Sequence, residues 1–189
     1  MDIAVVSPHL DDAVLSLGGL IGRQAEAGHN VEVVTCFTAG PPLDSLPANR
    51  RVFADYTARR AEDERSLANL GASHRWLNRW ERTWRDPPLP GPLHAFRTPP
   101  DVGVFAELCP IRAVIGDMVH RGALVYAPLG VGNHVDHVEV ALAAISEMVE
   151  SETFSRLRFY EDSYAMSRLP RRRHFVTRRH TWTRFGAPA

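Results

Sequence analysis

The sequence predicts an α/β fold: a mainly parallel sheet with helices on both faces. Three observations carry that prediction. Short apolar runs rich in β-branched residues alternate with helical stretches along most of the chain, the pattern that packs into βα units. The runs are apolar throughout rather than alternating, as strands buried on both faces are. Two clusters of histidine and aspartate each follow a strand and precede a helix, at the strand ends where open α/β sheets keep their ligand crevice. With 189 residues, 1–189 reads as one domain long enough to bury a substantial core.

The first strand is Ile3-Ala4-Val5-Val6. Residues 13–28 follow as a helix, with Leu15, Leu20, Ile21 and Ala25 near one face and Gly28 suited to its end. The run from Val31 to Phe37 is the second strand, and the loop 38–49 with Gly40-Pro41-Pro42 returns to the sheet edge that holds His9. A helix spans about 55–69, closed by Gly71, and 73–77 is a third strand. Residues 80–100 form a long proline-rich loop, a length that marks lids and binding loops in compact domains. Trp76, Trp80 and Trp84 lie four apart and are expected to stripe one face of a helix as core packing, with a sugar-stacking role open to Trp84. A helix near 101–120 leads to the strand Ala123-Leu124-Val125-Tyr126-Ala127, an amphipathic helix over about 138–149 and a last strand, 157–161. Glu161 and Asp162 at its end line the pocket or neutralise nearby arginines. The terminus, 165–189, is a basic tail with seven arginines and no acid between 168 and 184; it is a solvated segment or a clamp for a substrate phosphate or carboxylate.

Composition narrows the function classes. Hydrophobic residues make up 44% and charged residues 23%, ordinary for a globular protein. The formal net charge is +0, so no overall field favours nucleic acid or an acidic surface. All 22 basic residues are arginine, a compositional bias rather than a chemical requirement. The chain opens on a strand without a basic or long apolar leader, and no apolar run approaches membrane-spanning length. No signal peptide and no membrane partner are therefore expected. The two cysteines make no disulfide framework, Cys36 reads as a buried small hydrophobe, and a reducing cytoplasm is the expected compartment.

The chemistry concentrates in Ser7-Pro8-His9-Leu10-Asp11-Asp12 and in Gly130-Val131-Gly132-Asn133-His134-Val135-Asp136-His137. Strong polar side chains gathered at a strand end are costly to bury unless something pairs with them, and a divalent metal pairs with two at once. His134 and His137, three apart, share a face on a helical first turn. Zinc takes imidazole and carboxylate ligands in a tetrahedral set, and catalytic sites leave the fourth position to water. His9, Asp12 and one or both of His134 and His137 make such a set. Asp11 remains beside it, where a general base is wanted. Each cluster alone also suits a plain structural role, with Asp11 or Asp12 capping the next helix and the histidines part-exposed at a helix start. Two clusters in the same strand-to-helix setting favour the metal.

On these residues the chain resembles the PIG-L/LmbE-like N-acetylglucosaminyl deacetylases. Pro8-His9-Leu10-Asp11-Asp12 is similar to the family's His-Pro-Asp-Asp signature, and His134-Val135-Asp136-His137 to its His-Pro-Asp-His signature. Arg59-Arg60-Ala61-Glu62 followed by Leu70-Gly71 looks like the family's Arg-x-x-Glu helix ending in Leu-Gly. The resemblance covers most of residues 1–165. It implies a Rossmann-like, three-layer core that hydrolyses N-acetyl or related amide bonds on amino sugars and their conjugates.

The resemblance also implies roles. His9, Asp12 and His137 would hold one Zn2+ per chain, and Asp11 would take the proton of the attacking water. His134 would be a protonated stabiliser and general acid oriented by Asp136, and Arg59 would contact the sugar. Arg85-Asp86 resembles an Arg-Asp pair whose aspartate contacts substrate hydroxyls in some relatives; a loop salt bridge or Asx-turn is its alternative. Leu10 and Val135 replace the usual prolines. Gly132-Asn133 stands where some relatives have a tyrosine that helps hold the oxyanion, and the carboxyl-terminal region is short for the family. The partner is then a small N-acylated amino sugar. Two other classes are weighed. A two-metal phosphoesterase needs more ligands than these motifs supply, and an amidase of the same kind for a non-sugar substrate stays an alternative. A nucleotide-binding module lacks G-x-G-x-x-G after the first strand.

Overall fold

The computed structural model describes residues 1–97 and 105–162. In chain order the elements are β1 (Asp2–His9), α1 (Asp12–Glu26), β2 (Asn30–Ala39), α2 (Ala48–Ala54), α3 (Tyr56–Asn69), β3 (Ser73–Trp80), α4 (Leu108–His120), β4 (Leu124–Pro128), α5 (Val135–Glu150) and β5 (Leu157–Tyr160). Short 3-10 turns at Leu43–Ser45, Arg82–Trp84 and Pro92–Phe96 break up the connections after β2 and β3. The strands form one sheet in the order β3-β2-β1-β4-β5, with every pairing parallel. The predicted fold class is what the chain adopts.

The central strands β1 and β2 are buried on both faces, which is why they read as continuous apolar runs, while the edge strand β3 is not. Successive side chains of β1 point to opposite sides. Ile3 and Val5 pack with Ala13 and Ile21 of α1 and Leu67 of α3. Ala4 and Val6 pack with Ile111, Ile115 and Met118 of α4 and Val140, Ala143 and Ala144 of α5. The register Val5↔Val33 on one side and Val5↔Tyr126 on the other keeps β1 central. Cys36 lies inside this core, as expected, and burial with the nearby acids Glu139 and Asp136 pushes its thiol well up.

Several local expectations are corrected. Leu15 is 66% exposed; the face of α1 that packs inward runs through Val14, Leu17, Ile21 and Ala25, one step round the helix, as spacings of three and four require. Trp76 and Trp80 stand on β3 and Trp84 on a 3-10 turn, not on a helix. A spacing of four also returns to one face of a period-two strand, so the tryptophans could not distinguish the two. The proline-rich stretch carries two 3-10 turns. Helix α4 begins at Leu108, while 98–104 and the basic tail from 163 onward lie outside the described residues, so the expectations placed there are not addressed.

Trp84 joins Leu10, Ala54 and Tyr56 in a small cluster under the loop after β2, and its indole N–H donates to Tyr56 Oη at 2.9 Å. Gly40 sits against this pair: a Cβ there would overlap the Tyr56 ring and lie 3.0 Å from Trp84 Cδ1. Gly40→Ala is expected to destabilise the fold by about 1–3 kcal/mol through overpacking. A urea titration reads this as a lower midpoint with an unchanged slope.

The chain runs from β1 outward to β2 and β3, then crosses back to β4 and β5. Its topological switch point therefore lies between β1 and β4, where such sheets open a crevice beyond the strand ends. β1 ends there at His9, and α5 begins just past β4. Helix α5 is buried on nearly every side, with Val138 and Leu142 in a second cluster that Phe105 and Phe159 of β5 join. Four polar residues of this helix, Asp136, His137, Glu139 and Glu147, are buried with it. Each needs a partner.

Candidate metal centre

The loop after β1 is organised by Ser7. Its Oγ accepts the Ala13 N–H at 3.1 Å and donates to the His9 carbonyl at 2.8 Å, so a serine before the motif supplies the bond expected of a capping residue. Asp11 makes no capping bond and holds a left-handed backbone, φ 74. That conformation is uncommon outside glycine and clusters at functional sites. Asp63 of α3 pins it: one buried oxygen accepts the Asp11 N–H at 3.2 Å and the other the Trp76 indole N–H at 3.1 Å. Asp12 turns back, and its Oδ2 accepts the His9 N–H at 3.0 Å. On the other side of the crevice Asn133 is left-handed as well, φ 61, and delivers His134 to the N-cap of α5.

These two turns bring three ligand atoms to one point. His9 Nδ1 lies 3.2 Å from Asp12 Oδ2 and 3.1 Å from His137 Nε2, and His137 Nε2 lies 3.1 Å from Asp12 Oδ2. Zinc bonds of about 2.0–2.1 Å place tetrahedral ligands about 3.3–3.4 Å apart, so the triangle is close to one face of a zinc tetrahedron. His134 offers a ring nitrogen within 4.8 Å of those of His9 and His137. The triangle with Asp12 is the tighter set and carries the carboxylate.

The far nitrogen of each of His9 and His137 rests on a buried carboxylate. His9 Nε2 meets Asp136 Oδ2 at 3.1 Å, and His137 Nδ1 meets Asp162 Oδ1 at 3.0 Å. Such partners fix the ring and its tautomer and leave the other nitrogen for a metal. Asp162 also accepts the Val131 N–H at 3.1 Å, joining the loop after β4 to the end of β5. Three carboxylates around two imidazoles make a centre that attracts positive charge. Burial opposes protonation of both rings, yet Asp12 and Asp136 raise His9 well above its ordinary value, and Asp12 and Asp162 bring His137 to about 9. Asp12 is held well below the usual carboxylate range against its burial, mainly by His137. A divalent cation suits this donor set, because it supplies the charge that those protons otherwise bring.

Two expectations about the second motif change. Asp136 does not orient His134; it is bonded to His9, and its oxygens also accept the Arg82 N–H at 2.9 and 3.1 Å. From the first turn of α5 its carboxylate reaches across the crevice to the β1 side. Burial, reinforced by the charge of His9, brings His134 down to about 3, so the ring is neutral rather than a standing cation. Its Nδ1 is buried without a hydrogen-bond partner among the described residues, and Phe96 packs edge-on against it at 5.2 Å. Asp11 moves the other way: burial and the charges of Asp63 and Glu62 raise its carboxyl, the direction that suits a general base.

Arg59 pairs with Glu81 at 2.8 Å and lies over the Tyr56 ring, close enough for its charge to act on Asp11. Asp86 is exposed and is not drawn into the group; its neighbour Arg85 is, through Asp136 and Glu139. Sequence reasoning did not assign Asp63, Arg85 or the role of Asp162. For Asp162 a signal existed, an acid directly after a strand at the active edge. Asp162→Asn keeps the side chain's shape but removes its charge from His137, and is expected to weaken metal binding by about 10–100-fold. Competition with a chromophoric chelator measures it.

The PIG-L family (GlcNAc-PI de-N-acetylase) matches residues 4–148, which contain both motifs and all six of their ring and carboxylate groups from His9 to His137. The chain belongs to this family. It is accordingly a hydrolytic N-deacetylase. No curated protein matches the sequence. Among solved structures, a deacetylase of the teicoplanin biosynthesis pathway is 28% identical with a TM-score of 0.71, over 88% of this chain and 69% of its own. The A40926 pseudoaglycone deacetylase is 28% identical with a TM-score of 0.65, over 89% and 67%. The zinc-inhibited form of teicoplanin deacetylase is 27% identical with a TM-score of 0.68, over 86% and 68%. PIG-L membership agrees with an α/β core, and among the described residues no helix is long and apolar enough to cross a membrane.

Proposed function

We propose that this PIG-L protein is a zinc-dependent hydrolase that removes an N-acyl group, foremost N-acetyl, from an amino sugar or sugar conjugate of secondary metabolism. It acts as one domain, in the cytoplasm, with one zinc per chain. The observation that carries the reading is the triangle of His9 Nδ1, Asp12 Oδ2 and His137 Nε2 beside Asp11. By their own descriptions, one deacetylase that resembles the chain belongs to the biosynthesis pathway of teicoplanin and another is the A40926 pseudoaglycone deacetylase, and the two free cysteines suit a reducing compartment.

His9, Asp12 and His137 would hold the ion, with Asp136 and Asp162 fixing the two rings. What a bound zinc supplies is Lewis acidity, polarising the acyl carbonyl and making water a nucleophile near neutral pH. Asp11 takes the proton of the attacking water and returns it to the amine nitrogen as the C–N bond breaks. His134, neutral and buried, serves as a donor to the oxygen on which charge develops, a role a neutral imidazole can fill. Arg59 lies near Asp11 and would contact the sugar, and Asp86 at the loop surface would meet a more distant hydroxyl.

The test is metal content together with acetate release. Purified protein is expected to hold close to one zinc per chain, to lose it in His9→Ala and in His137→Ala, and to release acetate from an N-acetylated sugar. Zinc is titrated upward from one equivalent, because one similar deacetylase has a zinc-inhibited form. Two equivalents of equal affinity would point to a phosphoesterase. Zinc-loaded protein that releases acetate from no N-acetylated sugar would overturn the reading.

A further inference from the structure

Arg85 enters the metal centre from outside both motifs. It follows the 3-10 turn Arg82–Trp84, and its Nη2 donates to Asp136 Oδ1 and, at 3.0 Å, to Glu139 Oε2. The guanidinium lies 5.1 Å from the centroid of the Phe37 ring. Its side chain is 14% exposed, against 0% for Asp136 and 1% for Glu139. Two carboxylates taken this far from water need a cation between them, and Arg85 is that cation. Glu139 is held from its other side by the Glu107 N–H at 2.6 Å.

The consequence falls on Asp136. Its Oδ1 is held by Arg85, its Oδ2 by His9 Nε2, and the Arg82 N–H spans both oxygens. Every direction in which the carboxylate could turn is occupied. We infer that Arg85 is a positioning residue of the metal centre. By locking Asp136 it keeps the His9 proton on Nε2 and presents Nδ1 to Asp12 and the ion. The inference rests on His9 being a ligand. The competing account is that Arg85 only staples the segment after β3 to α5 and leaves the metal unaffected.

Arg85→Met separates the two, since it keeps aliphatic bulk over Phe37 and removes the charge. Zinc affinity is measured by chelator competition, and long-range nitrogen NMR of the zinc-loaded protein reports the His9 tautomer. The expected result is affinity about 10–100-fold weaker with the His9 Nε2–H pattern lost, and recovery of most of the affinity in Arg85→Lys, whose ammonium can bridge both carboxylates. Affinity within twofold of the parent and an unchanged His9 pattern would leave Arg85 a staple and overturn the inference. If Arg85→Met does not fold, Arg85→Gln carries the same outcomes. His9→Ala is the reference. If it leaves zinc affinity untouched, the ligand reading itself fails and this inference with it; if it abolishes binding while Arg85→Met does not weaken it, only the inference fails.

Discussion

Asp11→Asn is expected to retain zinc and lose nearly all turnover. The amide cannot accept the water's proton, and removing a general base costs about 10²–10⁴-fold. Asparagine tolerates the left-handed backbone that Asp11 adopts, and the Asp63 bond is to the Asp11 N–H, so the turn survives the substitution. Asp12→Asn makes the contrast: it removes the charge shared by His9 and His137 and is expected to lower metal affinity first. The pH dependence follows from the same residue. Asp11 acts when deprotonated and its carboxyl is raised, so activity is present above that raised value and lost as pH falls through it. The acid limb of kcat/KM is expected displaced upward from where an ordinary aspartate would put it, and the residual activity of Asp11→Asn should lack it. Zinc loss in Asp11→Asn with retention in Asp12→Asn would exchange the two roles.

His134→Ala is expected to cut kcat by about 10²–10³-fold, the scale of one lost oxyanion donor, with zinc content and KM nearly unchanged. An interaction that strengthens only in the transition state lowers kcat and kcat/KM together. The neutral ring also makes a statement about pH. An imidazole held down near 3 does not titrate between neutral and alkaline pH, so His134 should contribute no alkaline limb. A fall on that side that disappears in His134→Ala would restore the charged imidazole first expected from the resemblance. Near-normal turnover in the variant would remove His134 from the chemistry.

The central strands were legible because burial on two faces leaves an unbroken apolar run in β1 and β2, and both motifs were legible because their residue types have few other reasons to gather at strand ends. Geometry beyond that came from contacts the chain makes at long range. Leu15 was misplaced because adjacent positions on a helix differ by 100° and four apolar residues define a face loosely. Trp76, Trp80 and Trp84 satisfy two periods at once. The partner of Asp136 was unreadable: its neighbour in sequence is His137 and its near neighbour His134, yet its oxygen meets His9, 127 positions away. Asp63 carries no motif and Arg85 was read only as the neighbour of Asp86; only the folded crevice shows that each supports a motif residue.

The triangle of ligands closes between residues 128 positions apart, and Asp162, which braces it, lies 25 further along. During synthesis the first motif therefore leaves the ribosome long before the second, and both precede the acid that fixes His137. An amino-terminal fragment that stops short of β5 carries His9, Asp12 and His137 but lacks the acid that braces His137. Contacts this distant in sequence form late, since the chain between them must first be ordered, and a metal that needs a preformed cage binds after them. On the proposed reading, full-affinity zinc loading would depend on the acid after β5, and a nascent chain that captured the ion on His9 and Asp12 alone would hold it by only two of the three ligands.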